Sequence, residues 1–437
     1  MARPRRVLAA IFLVILLAGL SNQAPISPPG FGDNGLARFN EVGSFKIAIF
    51  SDTHFGENAW NTWGPQQDIN TVKVMEAVLD ADPPSMVVFN GDLITGDNAY
   101  AHNATAVLDQ MVAPLVARNL PWASTYGNHD SQFNLSSQDL LAHEQRYPGA
   151  MTKMMVGGRE EGTSNYVVPV YASDCPGAGT CAPEMLLWFF DSRGGFYPHE
   201  LKVDGTPVSR PNWVHDKVVA WFQRTNADLV AQYQKTIPSL AFVHIPTSAS
   251  AALQALGVDP NRQPGVNDDP VAQQSQGWCP DGRTQGCHHG GQDLAFMQAI
   301  TSTPGLMALF SGHSHGVTWC YRWDAQAPVD SGVPAGNGVN LCFGQHSGYG
   351  GCGNWIRGAR EVVVTREQLA RLEVDTYMRL ENGEVAGAVT LNATYNQDWY
   401  EATPNLQSSC PTCDYRHISP MPGTGGTGLG WLQGCQR

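Results

Sequence analysis

The sequence predicts an α/β fold: a largely parallel β-sheet covered by helices, with a second sheet packed against it. Two observations carry that expectation. From Lys46 to Ser311 short apolar runs alternate with stretches of helical periodicity, the pattern of βαβ units. After Val317 the helical stretches give way to successive strand-like segments, for which a second sheet is the simplest arrangement. The 437 residues, 42% of them hydrophobic, suffice for a large core in one domain with insertions or in two smaller ones.

The amino terminus reads as an address. Arg3, Arg5 and Arg6 precede an unbroken apolar run, Val7–Leu20, followed by small and polar residues through Ala24. The run is short for a membrane span and has the layout of a secretory signal peptide, so residues 1–24 are assigned to one. N-x-[ST] acceptors at Asn103, Asn134 and Asn392 and an even count of ten cysteines suit the same oxidising route. A secreted protein with N-glycans at those asparagines is expected. No apolar run follows Cys435, so neither a lipid anchor nor stable membrane association is expected.

Beyond a Pro/Gly-rich leader, strand-like runs occupy Lys46–Phe50, Ser85–Asn90, Pro121–Thr125, Met185–Phe190, Ser239–His244 and Leu306–Ser311. Between them, Asp68–Leu79 sets Ile69, Val72, Val74, Met75 and Val78 at helical spacing, and Thr105–Val116 and His215–Gln232 read likewise. The β-rich part offers Val317–Trp323, Val339–Phe343, Arg360–Val364 and Ala370–Tyr377, then "GAVTLNAT". These elements make one domain over 45–395. A long aperiodic loop at 257–291 interrupts it, of a length that is usually functional or disordered, and a Cys/Gly/Pro-rich tail at 396–437 follows it.

Five apolar runs end on groups that a strand interior cannot accommodate. "KIAIFSDTHFG" ends on Asp52 and His54, and "SMVVFNGD" on Asp92, 40 residues later. "PWASTYGNHD" delivers Asn128, His129 and Asp130, "SLAFVHIP" delivers His244, and "GLMALFSGHSHG" delivers His313 and His315. Each is weak alone. Together they would line one edge of a sheet, where open α/β folds bind ligands. Carboxylate, imidazole and one amide oxygen, without thiolate, suit iron, zinc or manganese. Two cations close together need a bridging ligand, and Asp92 is placed for it. Such a pair acidifies water and clamps the oxygens of a displacement at phosphorus.

The series Asp52-Thr-His54, Gly91-Asp92, Gly127-Asn128-His129-Asp130, His244 and Gly312-His313-Ser-His315 resembles the calcineurin-like metallophosphoesterase superfamily, from about Phe45 to Thr394. "NGDLITGDN", "HIP" and "GYGGCGNWIRGAR" further resemble the short purple-acid-phosphatase-like branch of fungi and plants. The resemblance implies a two-sheet β-sandwich flanked by helices. It also implies one metal on Asp52, His54, Asp92 and His315 and a second on Asp92, Asn128, His244 and His313. His129 then stands near the leaving group as proton donor or stabiliser, with Asp130 as its orienter. Two departures stand out: purple acid phosphatases have glycine at the position of His54 and a ligand tyrosine at that of Thr95. No iron–tyrosinate colour is expected, and zinc or manganese gains over an iron pair.

The remaining signals read as structural. Cys279, Cys287, His288 and His289 are assigned to a disulfide loop rather than a zinc knuckle, Cys410-Pro-Thr-Cys413 to a staple, and Cys175 and Cys181 to a small closed turn. His102, His143, His199, His215, His346 and His417 are read as surface or core residues, and Arg357 and Arg360 as structural. With 39 acidic against 26 basic side chains and a formal net charge of -13, nucleic acid is excluded as a partner. The expected partner is a small phosphorylated substrate. The function expected is hydrolysis of phosphate monoesters by a hydroxide held on two metal ions. The alternatives are a phosphodiesterase acting on nucleotides or lipid head groups, and a non-catalytic metal-binding protein.

Overall fold

The computed structural model describes residues 35–96, 99–100, 102–131, 135–271, 291–324 and 332–404. The signal segment, Asn134, Cys279, Cys287, His288, His289, Cys410, Cys413, His417 and Cys435 lie outside them.

In chain order the described residues begin with β1 (Ala37–Arg38), β2 (Ser44–Ser51), α1 (Trp63–Ala81), β3 (Met86–Asn90), α2 (Ala104–Ala117) and β4 (Trp122–Thr125). A single 3-10 turn (His129–Ser131) precedes α3 (Ser137–Glu144), then β5 (Tyr166–Tyr171) and β6 (Met185–Phe190). The hairpin of β7 (Phe196–Leu201) and β8 (Pro207–Ser209) leads to α4 (Asp216–Tyr233), β9 (Ser239–Val243) and α5 (Ser248–Leu256). There follow α6 (Leu294–Ser302), β10 (Leu306–Ser311), β11 (Cys320–Trp323), β12 (Val339–Phe343) and β13 (Gln345–His346). The described chain closes with β14 (Gly358–Thr365), α7 (Arg366–Arg371), β15 (Val374–Leu380) and β16 (Val385–Leu391).

Two large sheets form. One has the order β1-β5-β6-β9-β10-β12-β11, the other β16-β15-β14-β2-β3-β4, with β13 also alongside β2. Period-two alternation explains how they stack. In β2, Ile47 and Ile49 point into the core between the sheets, while Ala48 and Phe50 face α1 and α2. In β6, Leu187 and Phe189 point into that same core, and Leu186, Trp188 and Phe190 meet α4 and α6. The result is four layers, helix–sheet–sheet–helix. Strands buried on both faces must be apolar throughout, which is why these runs are unbroken. Full burial of each large side chain contributes about 1.5–3 kcal/mol.

The expected fold class holds, and two details are corrected. The second sheet is not a carboxyl-terminal unit: β11 and β12 join the β6–β9–β10 sheet, while β14–β16 extend the sheet of β2–β4. Ala370–Tyr377 is not one strand, because a capping box begins α7 at Thr365, whose hydroxyl accepts from Gln368 N while the Gln368 side chain accepts from Thr365 N. Helix α1 also starts earlier than expected. Its inner face is Thr71, Val74, Met75, Val78 and Leu79, and Ile69 is exposed.

The Cys175–Cys181 disulfide closes the small turn expected of it, and Cys320–Cys342 joins directly opposed positions of β11 and β12. The described part of the long loop is tied down: Asn261 O accepts from Tyr400 N at 2.8 Å, and Gln263 Nε2 donates to Asn396 Oδ1 at 3.0 Å. Among the described residues no helix is long and apolar enough to cross a membrane.

Candidate metal centre

Strands β2, β3 and β4 run parallel, as do β9 and β10. Their carboxyl ends therefore deliver Asp52 and His54, Asp92, Asn128 and His129, His244, and His313 and His315 to a common edge. Three groups of side chains there bring one ligand atom each to within 4.8 Å of one another: Asp52, His54 and His315; His54, Asp92 and His129; and Asp92, His244 and His313. Asp92 and His54 each belong to two of the groups. Asn128 sits fully buried in the same β4 loop.

The backbone is bent to make this possible. Asp52, His54, Asp92 and His313 all hold positive φ, between 47° and 67°, a conformation costly for side chains that bear a Cβ. Such strain, on four of the seven expected ligands, is the mark of a site over-determined by its surroundings. Gly91 precedes Asp92 because nothing larger fits: a Cβ there would lie 2.3 Å from the His244 ring. Asp52 accepts from His313 N at 3.0 Å, and Asp92 accepts from His129 N at 2.8 Å, so each carboxylate also fixes the loop of a neighbouring ligand.

The imidazoles are oriented from behind. His244 Nδ1 donates to Asn90 O at 2.9 Å and His315 Nδ1 to Cys352 O at 2.6 Å, while His54 Nδ1 lies 3.1 Å from Thr95 Oγ1. Each pairing leaves Nε2 for the centre. His244 Nε2 lies 3.0 Å from Asp92 Oδ2, and the Nε2 atoms of His54 and His315 face each other at 3.4 Å. Two imidazole lone pairs at that separation repel unless a cation or a proton stands between them. The donor set fits metal ions on this observation. Burial by itself would raise Asp92, but the imidazoles of His244, His129 and His54 outweigh it and hold the carboxyl well below the usual range.

His129 is almost fully buried, its ring edge-on to His54 with centroids 4.9 Å apart. The Asp130 carboxylate is turned to backbone N–H groups rather than to that ring. Its Oδ1 accepts from Leu93 N and Ile94 N, at 2.8 and 3.0 Å, and its Oδ2 from Gly127 N at 2.7 Å. With both oxygens engaged by backbone, Asp130 ties the β3 loop to the β4 loop. Arg357 and Arg360 are structural, as expected: both are buried, and their guanidinium groups donate to backbone carbonyls such as Gly353 O and Phe343 O.

One residue the sequence reading passed over belongs here. His346, read as surface or core, is indeed buried, but its ring stacks on His315 with centroids 3.9 Å apart. The signal was present: Val339–Phe343 is another apolar run that ends on a glycine and a histidine.

A profile of the calcineurin-like phosphoesterases matches residues 45–317, well over half of the chain. The chain belongs to that family. Among calcineurin-like phosphoesterase relatives, it is 25% identical over 383 residues to a protein of Arabidopsis thaliana named "Probable inactive purple acid phosphatase 29", covering 83% of this chain and 87% of that one. It is 26% identical over 327 residues to the "Phosphatase DCR2" of Saccharomyces cerevisiae, covering 71% of this chain and 50% of the yeast protein. Among solved structures, it is similar to a dimetal phosphatase from Danio rerio, at a TM-score of 0.44 and 14% identity over 80% of this chain and 98% of that one.

Proposed function

We propose that this chain is a secreted, metal-dependent phosphatase of phosphate monoesters. The observation that carries the reading is the facing of Nε2 atoms on His54 and His315 beside two buried carboxylates, with each ring braced from behind. One metal would be held by Asp52, His54, Asp92 and His315, the other by Asp92, Asn128, His244 and His313. Bound there, two cations supply positive charge that acidifies water and offsets the charge of a phosphoryl group in displacement. In a chain of net charge -13, that local positive charge is what draws in an anionic substrate.

The chain's own groups do the rest. Asp92 fixes His129 through the backbone N–H, holding the ring at the edge of the ligand cluster. From there His129 can give a proton to a leaving alkoxide. Asp130 keeps that loop in register with Asp92 through its three backbone bonds.

Export is supported by the leading apolar run and by the two described disulfides. Asn103 is exposed at the start of α2, as a glycan acceptor must be. The name of the Arabidopsis thaliana relative favours a second reading, a centre that binds metal without turning over. Hydrolysis of p-nitrophenyl phosphate beside bis-p-nitrophenyl phosphate, with and without chelator, separates these. Chelator-sensitive release from the monoester supports the proposal, preference for the diester makes the chain a phosphodiesterase, and silence on both with metal bound supports the non-catalytic reading.

A further inference from the structure

The segment from Gly344 to Gly353 lies beyond residues 45–317, which the family profile matches, yet it packs directly on the candidate centre. Its strand β13 runs parallel to β2, with His346 opposite Ser51, one residue before Asp52. Beyond it the backbone crosses the ligand loop closely: Ser347 N donates to Ser51 O at 2.9 Å and Gly348 N to Asp52 O at 3.2 Å. At Gly351, φ is +68°, and a Cβ would lie 2.6 Å from His54 Cδ2 and 2.9 Å from His315 Cε1. The carbonyl of the next residue, Cys352, is the acceptor that fixes the His315 ring.

This strap is itself held rigid. Gly351 N donates to the buried Glu57 Oε2 at 2.7 Å, and Tyr349 N donates to Thr71 Oγ1 at 2.9 Å. The buried Arg357 guanidinium gathers the carbonyls of Gly348 and Gly353 at 2.5 and 2.7 Å. His346 closes it from inside. Its Nε2 donates to Gly350 O at 3.1 Å, its ring stacks on His315, and it stands edge-on to His54 with centroids 6.3 Å apart.

The contacts are one-sided. The strap meets Asp52, His54 and His315, whereas His244, set by Asn90 O and packed edge-on to His313, has its support elsewhere. Resting on the dinuclear reading above, we propose that His346 and the glycine strap are positioning elements for one of the two metals only, the one on Asp52, His54, Asp92 and His315. They hold two of its imidazoles at the separation that a shared cation requires. Loosening the strap would weaken that metal selectively and leave the other in place, turning a dinuclear centre into a mononuclear one.

The test is a titration of metal-stripped protein with Mn2+, followed by calorimetry and by electron paramagnetic resonance, on the full chain and on His346→Ala and Gly351→Ala. The expected result is two equivalents for the unaltered chain with an exchange-coupled spectrum. In the variants, one equivalent binds as before, the second binds ten- to a hundred-fold more weakly, and the spectrum becomes that of isolated Mn2+. His346→Phe, which keeps an aromatic ring there and loses the Gly350 bond, serves where the alanine variant does not fold. Equal weakening of both equivalents, or no change in either, overturns the assignment to one metal. An unaltered chain that takes fewer than two equivalents overturns the dinuclear reading itself, and this proposal with it.

Discussion

His54 and Thr95 are hydrogen-bond partners, Nδ1 to Oγ1, at 3.1 Å inside the buried edge of the sheet. These are the two positions at which the sequence is expected to depart from purple acid phosphatases, and in the structure they touch each other. A ligand at position 54 needs its outer nitrogen satisfied, and a threonine hydroxyl at position 95 is short enough to do that without entering the centre. Tyr100, the next tyrosine along, stacks on His102 and lies against Trp60.

From that pairing, Thr95→Val should cost ten- to a hundred-fold in affinity for the metal on His54, with the fold intact because valine matches the shape. Metal competition against a chromophoric chelator measures it. An affinity equal to that of the unaltered chain would mean that His54 is held by packing alone. The iron-loaded chain should also lack an intense visible band, since no tyrosine stands at position 95.

Asp130→Asn tests the bridge between loops. One carboxylate oxygen would become an amide whose hydrogens face a backbone N–H of Gly127 or those of Leu93 and Ile94, replacing attraction by repulsion. The β4 loop that carries Asn128 and His129 should shift, lowering kcat by at least about ten-fold, since small misplacements of reacting groups cost that much or more. KM should change less. A rise confined to KM, with kcat unchanged, would point to substrate contact instead.

Much of the fold was legible because burial on both faces leaves a plain signature. β2 has to be apolar from Ile47 to Phe50 and cannot be apolar past Ser51, so the place where the run breaks marks where the strand meets the site. Sheet membership was not legible, since an apolar run does not name its neighbour: nothing in Val339–Phe343 says that it pairs with β10 rather than with β14. β5 went unread because Pro169 argues against a strand, and it is tolerated next to the two-residue edge strand β1. The ligands were legible as residues that an apolar strand cannot bury. Their supports were not, because Thr95, Cys352 O and Asn90 O are ordinary groups made specific only by position.

Below β4, Glu144 accepts four side-chain hydrogen bonds. Trp122 Nε1, Ser124 Oγ and Thr152 Oγ1 donate to Oε1, and Tyr126 OH donates to Oε2, at 2.7–2.8 Å. Burial pushes its carboxyl above the usual range, and the four donors oppose that rise without cancelling it. Glu144→Gln retains one acceptor oxygen and sets an NH2 against donors, so a loss of about 2–4 kcal/mol in unfolding free energy is expected by urea denaturation. A loss under about 0.5 kcal/mol would show that the cluster rearranges without cost.

Glu361 is the opposite case, a buried carboxyl in β14 whose oxygens accept no hydrogen bond among the described residues. Lys46 Nζ is 3.9 Å away and is itself shared with Asp82, which also takes Arg379 and Tyr377. Burial raises the Glu361 pKa from 4.5 to about 8, with Lys46 and Arg379 only partly opposing it. The folded chain therefore keeps this proton at pH values where the unfolded chain has lost it. Its contribution to stability is complete below about pH 4.5 and is lost as the pH rises through about 8. Glu361→Gln imitates the protonated carboxyl at every pH. The variant should match the unaltered chain near pH 4.5 and exceed it by about 1–3 kcal/mol at pH 8. Thermal unfolding across that range reads the difference directly. A variant less stable at pH 8 would mean that Glu361 is ionised and that its attraction to Lys46 outweighs the cost of burial.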